Sequence, residues 1–248
     1  MVRSLIFILV TLCCALPVHA GDPVRIFTEE FPPFNYMEGG KVGGISTAVV
    51  EAAFQLAGVE YTISLCKWRR AMAEIKSSPN TFVYTMARTP SREDEYAWVG
   101  KLFDRELILY RHRDRDDLAQ LPFEELRHKT RPCVIRDDAA HEWLLSLNFP
   151  EENIYQLSGF AVHQCPKMVQ EKHADFAAIN PYSLKYMIRA GQLEDVFVAY
   201  SCILKEDGYY LATGLQSDPV LVEKLRRAFA RLAAEGLNER LAEDYLCR

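Results

Sequence analysis

Two arginines four residues apart, Arg88 and Arg92, sit in the run Thr85-Met86-Ala87-Arg88-Thr89-Pro90-Ser91-Arg92. The apolar segment Thr81 to Tyr84 leads into it and reads as a buried strand. A guanidinium is a planar fork of donors that matches a carboxylate with two parallel hydrogen bonds. Open α/β sheets bind ligands just outside the C-terminal ends of their strands. An anion site at this turn, which opens on Thr85 and carries both arginines, is one reading. A surface loop whose arginines pair with Glu93, Asp94 and Glu95 is the other.

A second candidate lies upstream. Val24 to Thr28 alternates and is rich in β-branched residues, so it predicts a strand. Glu29-Glu30-Phe31-Pro32-Pro33-Phe34-Asn35-Tyr36 follows it, and two prolines exclude helix there and stiffen the loop. Phe31 reads as a ligand platform and Phe34 as a corner of the core. Catalytic and cofactor patterns are missing. The chain has no Gly-x-Ser-x-Gly elbow, no His-Glu-x-x-His and no Gly-rich phosphate loop. Its six histidines are scattered and no Cys-x-x-Cys occurs, so neither metal nor cofactor is expected.

The elements that must hold these residues follow from periodicity. Gly39-Gly40 and Gly43-Gly44 predict a turn or hairpin, and Ser46 a cap on a helix that Gly58 stops. Strand Val59 to Leu65, helix Trp68 to Lys76 and strand Thr81 to Met86 complete a β-α-β-α-β unit, which implies a parallel sheet. Tyr96 to Val99 and Leu102 to Tyr110 are extended and run into a charged stretch, Arg111 to Asp117, read as a solvated loop. Leu118 to Lys129 predicts a helix or capped turn. A second β-α-β-α-β unit then spans Arg131 to Ala190, with Asp137-Asp138 heading its first helix and Asn180-Pro181 its last. Val196 to Leu204 and Tyr209 to Thr213 are extended again. Ser217 is expected to cap a long terminal helix whose stripe is Leu221, Leu225, Phe229 and Leu232.

Composition narrows the setting. Of 248 residues, 49% are hydrophobic, enough for one large domain or two small ones. The first twenty residues hold one charge, Arg3, an apolar stretch from Leu5 to Leu16, and Val18-His19-Ala20 in the pattern of a signal-peptidase site. A cleaved signal peptide over 1–20 is therefore expected. The net charge of −5, without a basic run, makes nucleic acid a poor partner. Beyond the leader remain Cys66, Cys133, Cys165, Cys202 and Cys247, an odd number in a compartment that permits disulfides. Cys133 and Cys165 are the pair expected to bridge.

Taken in order, these features resemble the bacterial periplasmic solute-binding proteins of family 3, the polar amino acid type, over nearly the whole mature chain. Phe31-Pro32-Pro33-Phe34 through Lys41-Val42-Gly43-Gly44 is similar to the family's opening loop and turn. Thr89-Pro90-Ser91-Arg92 is similar to its Thr-x-x-Arg turn, and Ala228 to Leu246 to its closing helices. The resemblance implies an α/β, two-lobed periplasmic binding protein fold of type II kind, with two βαβαβ lobes joined by two extended hinge crossings. Lobe one would comprise 21–109 plus 208–248, and lobe two 110–207.

It further implies that the lobes close on a small polar solute. Arg92 would clamp a ligand carboxylate, with Arg88 as an added donor, Phe31 covering the ligand and Trp68 lining the cleft. Lobe two would offer a helix N-terminus around Arg136 to Ala139. Asn180 stands where the family usually has an acid for the α-amino group, and an amide cannot supply that charge. Asp137 or Asp138 is the alternative source of negative charge. The implied protein is a periplasmic monomer without cofactor, serving an ABC importer's permease or a membrane sensor. Some relatives are dehydratases, for which Glu30 and Asp138 would be the acids.

Overall fold

A computed structural model of the chain describes residues 23–158 and 163–246. The leader read from residues 1–20, and Cys247, lie outside the described residues. The chain opens with β1 (Val24–Thr28), the hairpin strands β2 (Tyr36–Glu38) and β3 (Lys41–Gly43), and α1 (Ile45–Ala57). Next come β4 (Tyr61–Leu65), α2 (Trp68–Ser77), β5 (Thr81–Ala87) and the long β6 (Tyr96–His112). Two short helices, α3 (Asp116–Ala119) and α4 (Phe123–Lys129), precede β7 (Pro132–Ile135), α5 (Ala139–Ser146) and β8 (Tyr155–Leu157). Then follow α6 (Gln164–Gln170), β9 (Phe176–Ile179), α7 (Pro181–Arg189), the long β10 (Phe197–Gly214), α8 (Pro219–Ala234) and α9 (Leu237–Leu246).

Eight strands hydrogen-bond in the order β4-β1-β5-β10-β6-β9-β7-β8. In lobe one, β4, β1 and β5 are parallel and β10 closes antiparallel on β5. In lobe two, β8, β7 and β9 are parallel and β9 runs antiparallel to β6. Paired antiparallel, β6 and β10 run from one lobe into the other and are the two crossings. Each was expected as two extended segments; each is one continuous strand. Their register slips between Glu206 and Tyr209. There Gly208 adopts φ 136°, and a Cβ on it would stand 2.5 Å from the Phe103 carbonyl oxygen. Only glycine fits that kink between the lobes.

The period of two in each strand sets which helix covers which face. In lobe one, Ile26, Phe82, Tyr84 and Leu211 face α1 and α8, meeting Val50, Phe54, Leu225 and Phe229. Phe27, Val83, Met86 and Ala212 face the other way, onto Ala71 and Ile75 of α2. That two-sided cover is why β5 is buried along its whole length. Leu107 and Leu109 of the crossing strand β6, with Val134 and Phe176 of lobe two, pack on Trp143 and Leu144 of α5 and Leu126 of α4. On its opposite face Cys133 of β7 is disulfide-bonded to Cys165 of α6, the expected pair. Cys66 is a free, buried thiol.

Two expected caps differ. Ser46 is buried inside α1, and the cap position is Gly44 at φ 106°. The first helical N–H groups, of Ile45 and Ser46, donate to the carbonyls of Pro33 (3.0 Å) and Phe34 (2.8 Å), so the aromatic-proline loop does the capping. Similarly, α8 is capped by Asp218, which accepts from the Val220 N–H at 2.9 Å. Ser217 instead ties β10 to the turn at Asn80, bonding Thr213 Oγ1 at 2.6 Å and the Asn80 N–H at 2.9 Å.

Candidate functional site

The parallel strands of both lobes point their C-terminal ends at one another, and between them lies a cavity of about 100 Å³. Lobe one contributes Glu29, Glu30 and Phe31 after β1, Trp68 at the start of α2, Thr85 and Ala87 of β5, and Arg92. Lobe two contributes Ile135, Asp138, Ala139 and Ala140 at the β7–α5 junction, and Ile179 and Asn180 at the end of β9. Arg105, Leu107 and Tyr209 enter from the crossing strands.

The loop after β1 is held by Asn35, which is fully buried. Its Nδ2 donates to the Glu29 carbonyl and its Oδ1 accepts from Thr85 Oγ1, both at 2.5 Å. Thr85 sits where β5 carries one extra residue against β10, at φ 57°. A β-branched residue there is strained by about 1–2 kcal/mol. Thr85→Val should therefore lower stability by about 1–2 kcal/mol by orphaning Asn35. Thr85→Gly should stay within about 1 kcal/mol of wild type, because relief of strain offsets the lost bond. Urea unfolding of the three proteins measures both.

Phe31 stacks on buried Phe34 (5.1 Å between centroids) and meets Tyr209 edge-on, so one face remains for the cavity. Trp68 lies under the Arg92 guanidinium, 5.7 Å from its ring centre. Arg92 is buried and holds a carboxylate of this chain, where a ligand carboxylate was expected. Its Nη2 donates to Glu142 Oε1 of α5 at 2.9 Å. Ser91 and Thr89 hydroxyls donate to Glu142 Oε2 at 2.8 and 3.1 Å. The Thr-x-x-Arg turn of lobe one thus grips a side chain of lobe two with three donors.

Two expected site residues fall outside the cavity. Arg88 is bidentate to Glu93, with Nε–Oε2 at 2.7 Å, and lies over the rings of Trp98 and Tyr210. Arg88 is thus engaged within its own loop, while Arg92 lines the cavity. Arg136 is exposed and donates to Gln156 at 3.1 Å. It follows Ile135, which faces the cavity, and successive strand residues face opposite ways.

Asp138 lines the cavity and caps α5, its Oδ1 accepting from the His141 N–H at 2.8 Å. Burial pushes its carboxyl up to about 6, against the pull of that N–H, Arg105 and Arg92. Asn180 is fully buried with both amide ends engaged: Nδ2 donates to the Glu106 carbonyl (3.0 Å) and Oδ1 accepts from the Tyr182 N–H (2.9 Å). It is the cap of α7. Glu30 lines the cavity with its carboxyl raised by burial.

Glu29, Arg105 and Tyr209 were not singled out from sequence. Glu29 is only partly shielded by surface area, yet atoms of both lobes surround it. Burial first, and then Asp138, push its carboxyl up to about 8, while Arg92 pulls it down. Tyr209 is raised to about 12 by burial, with Arg105 and a hydrogen bond to Asn180 opposing. Arg105 sits between Asp104 and Glu106 in the segment Leu102 to Tyr110, so its charge carried no signal that it alone of the three turns into the cavity. Among the described residues no group of three or more histidines, cysteines and acids could hold a metal, and no helix is long and apolar enough to cross a membrane.

Residues 24–247 match the family described as bacterial extracellular solute-binding proteins, family 3. No curated protein matches the chain. Among solved structures, the arginine-, lysine-, histidine-binding protein ArtJ from Geobacillus stearothermophilus superposes with a TM-score of 0.76 at 15% identity, covering 91% of this chain and 96% of its own. A histidine kinase sensor domain similar to periplasmic binding proteins gives 0.77 at 16%, covering 92% and 97%. The GluR0 ligand-binding core from Nostoc punctiforme, in complex with L-glutamate, gives 0.71 at 19%, covering 90% and 98%.

Proposed function

The chain belongs to the bacterial extracellular solute-binding proteins of family 3, and we propose that it is a periplasmic receptor for a small polar solute, an amino acid or a close relative of one. The supporting observation is the cavity between the lobes, walled by charged side chains from both and bridged by Arg92 and Glu142. A solute that touches both walls favours the closed arrangement by its contacts with each. Delivery to an ABC importer is the role we infer for it, with the leader as the route of export. A sensory partner is the second reading; its support is a fold shared with a histidine kinase sensor domain.

We read the cleft as binding without turnover. Glu30 and Asp138 both border the cavity, where a dehydratase would need its acids. Turnover of a bound solute that disappears on Glu30→Gln or Asp138→Asn would overturn the receptor reading. The main test is a thermal-shift screen of the purified protein against amino acids, small carboxylates and amines. A ligand at a hundred times its Kd stabilises by about 2.7 kcal/mol. For a chain of this length that is a rise of roughly 5–10 °C in midpoint. A flat response to every class would sink the proposal.

A further inference from the structure

We propose that the cleft selects a small cation, a primary amine or guanidinium compound, with Glu29 as its counter-ion, and that the solute needs no carboxylate. This rests on the reading of the cleft as a solute site and names its chemical class.

Two devices in this cleft that suit an anion already hold a carboxylate of the chain. Arg92 gives its Nη2 to Glu142 Oε1, and the second oxygen of Glu142 takes the Thr89 and Ser91 hydroxyls. A ligand carboxylate that sought both ends of the Arg92 fork would have to displace Glu142 from Nη2. The N-terminus of α5 faces the cavity, but Asp138 occupies it and takes the His141 N–H. A second carboxylate there would meet Asp138 at close range, and like charges in a shielded site repel strongly.

The remaining charges favour a cation. Glu29, Glu30 and Asp138 line the cavity against Arg92 and Arg105. Arg92 is matched by Glu142, and Arg105 acts on Asp138 and Tyr209. Glu29 and Glu30 have no ion pair among the described residues. Partly shielded carboxylates on the wall of a cavity gain from an opposite charge beside them. An ammonium or guanidinium beside Glu29 supplies one. Phe31 and Trp68 offer ring faces nearby, which attract cations in the same way. Asn180, whose amide is engaged at both ends, leaves the cationic group to Glu29.

Matched pairs that differ only by a carboxylate give the test: arginine and agmatine, lysine and cadaverine, ornithine and putrescine. Calorimetric titration at pH 8 is expected to show, for at least one pair, an amine that binds as tightly as its amino acid or tighter. Glu29→Gln, an isostere, should weaken that amine ten-fold or more. Glu142→Gln should free the Arg92 fork and shift the ratio of affinities ten-fold or more toward the amino acid.

The inference is overturned if every amino acid outbinds its amine, if no amine binds, if Glu29→Gln costs less than ten-fold, or if Glu142→Gln leaves the ratio in place. Tight binding of carboxylates alone would end the cation proposal and leave the receptor reading standing. No binding of cations, zwitterions or dicarboxylates would end both.

Discussion

Loss of the Cys133–Cys165 bridge is expected to lower the unfolding midpoint by roughly 6–16 °C. The bond closes a loop of 32 residues in sequence. Loop-closure entropy for that length gives about 3–4 kcal/mol. A domain of this size loses about 2–4 °C per kcal/mol. Lobe two depends on the link because its own sheet is small: β7 and β9 have four residues each and β8 three. On the face where the bridge lies, the buried partners are Val169, Ala174 and Ala177, all modest in size. The double variant Cys133→Ala, Cys165→Ala avoids burying hydroxyls in place of sulfur, and reduced wild type is its control. Both should lose the same stability, while lobe one, with its larger core of Phe54, Phe82, Tyr84 and Phe229, keeps its own. A midpoint unchanged within about 2 °C in both would show that the bridge is idle.

The plan of the molecule was readable because its signals are local. Each predicted strand and helix rests on periodicity within ten or so residues, and repetition of β-α-β-α-β forces a parallel sheet in each half. Caps misled where the capping group lies in another segment. Ser46 has the right chemistry, but the Pro33 and Phe34 carbonyls, ten and more residues upstream, reach the α1 N–H groups instead. In the site, sequence could place Arg92 at a strand end but could not show that Glu142, fifty residues on, would meet it. Nor did it single out Glu29, which lines the cavity beside Glu30 on a loop held by Asn35 and Thr85 through contacts that no spacing announces.

Glu29 gives the protein a stability that falls as pH rises, and Glu29→Gln should abolish most of that fall. Its carboxyl is raised from 4.5 to about 8 in the folded protein. Below pH 4.5 the acid is protonated in both folded and unfolded chains and contributes no pH dependence. Between there and pH 8 the unfolded chain has released a proton that the folded one retains. Unfolding then becomes easier by up to about 1.4 kcal/mol per pH unit. Asp138, Arg92 and Cys66 are the titratable or charged neighbours coupled to it. Asp138, raised to about 6, adds a fall of the same sign at lower pH.

With solvent entering the cleft mouth, the Glu29 contribution at pH 8 is on the order of 3 kcal/mol. Melting curves from pH 4.5 to 8 should show Glu29→Gln level with wild type at the acid end and roughly 6–12 °C above it at the alkaline end. A cation in the cleft reverses the sense. It binds the ionised carboxylate, so binding releases a proton. An amine, itself charged until about pH 10, should gain up to ten-fold in affinity per unit from pH 6 to 8. An affinity flat across that range, with proton uptake or none on binding, would detach Glu29 from the ligand.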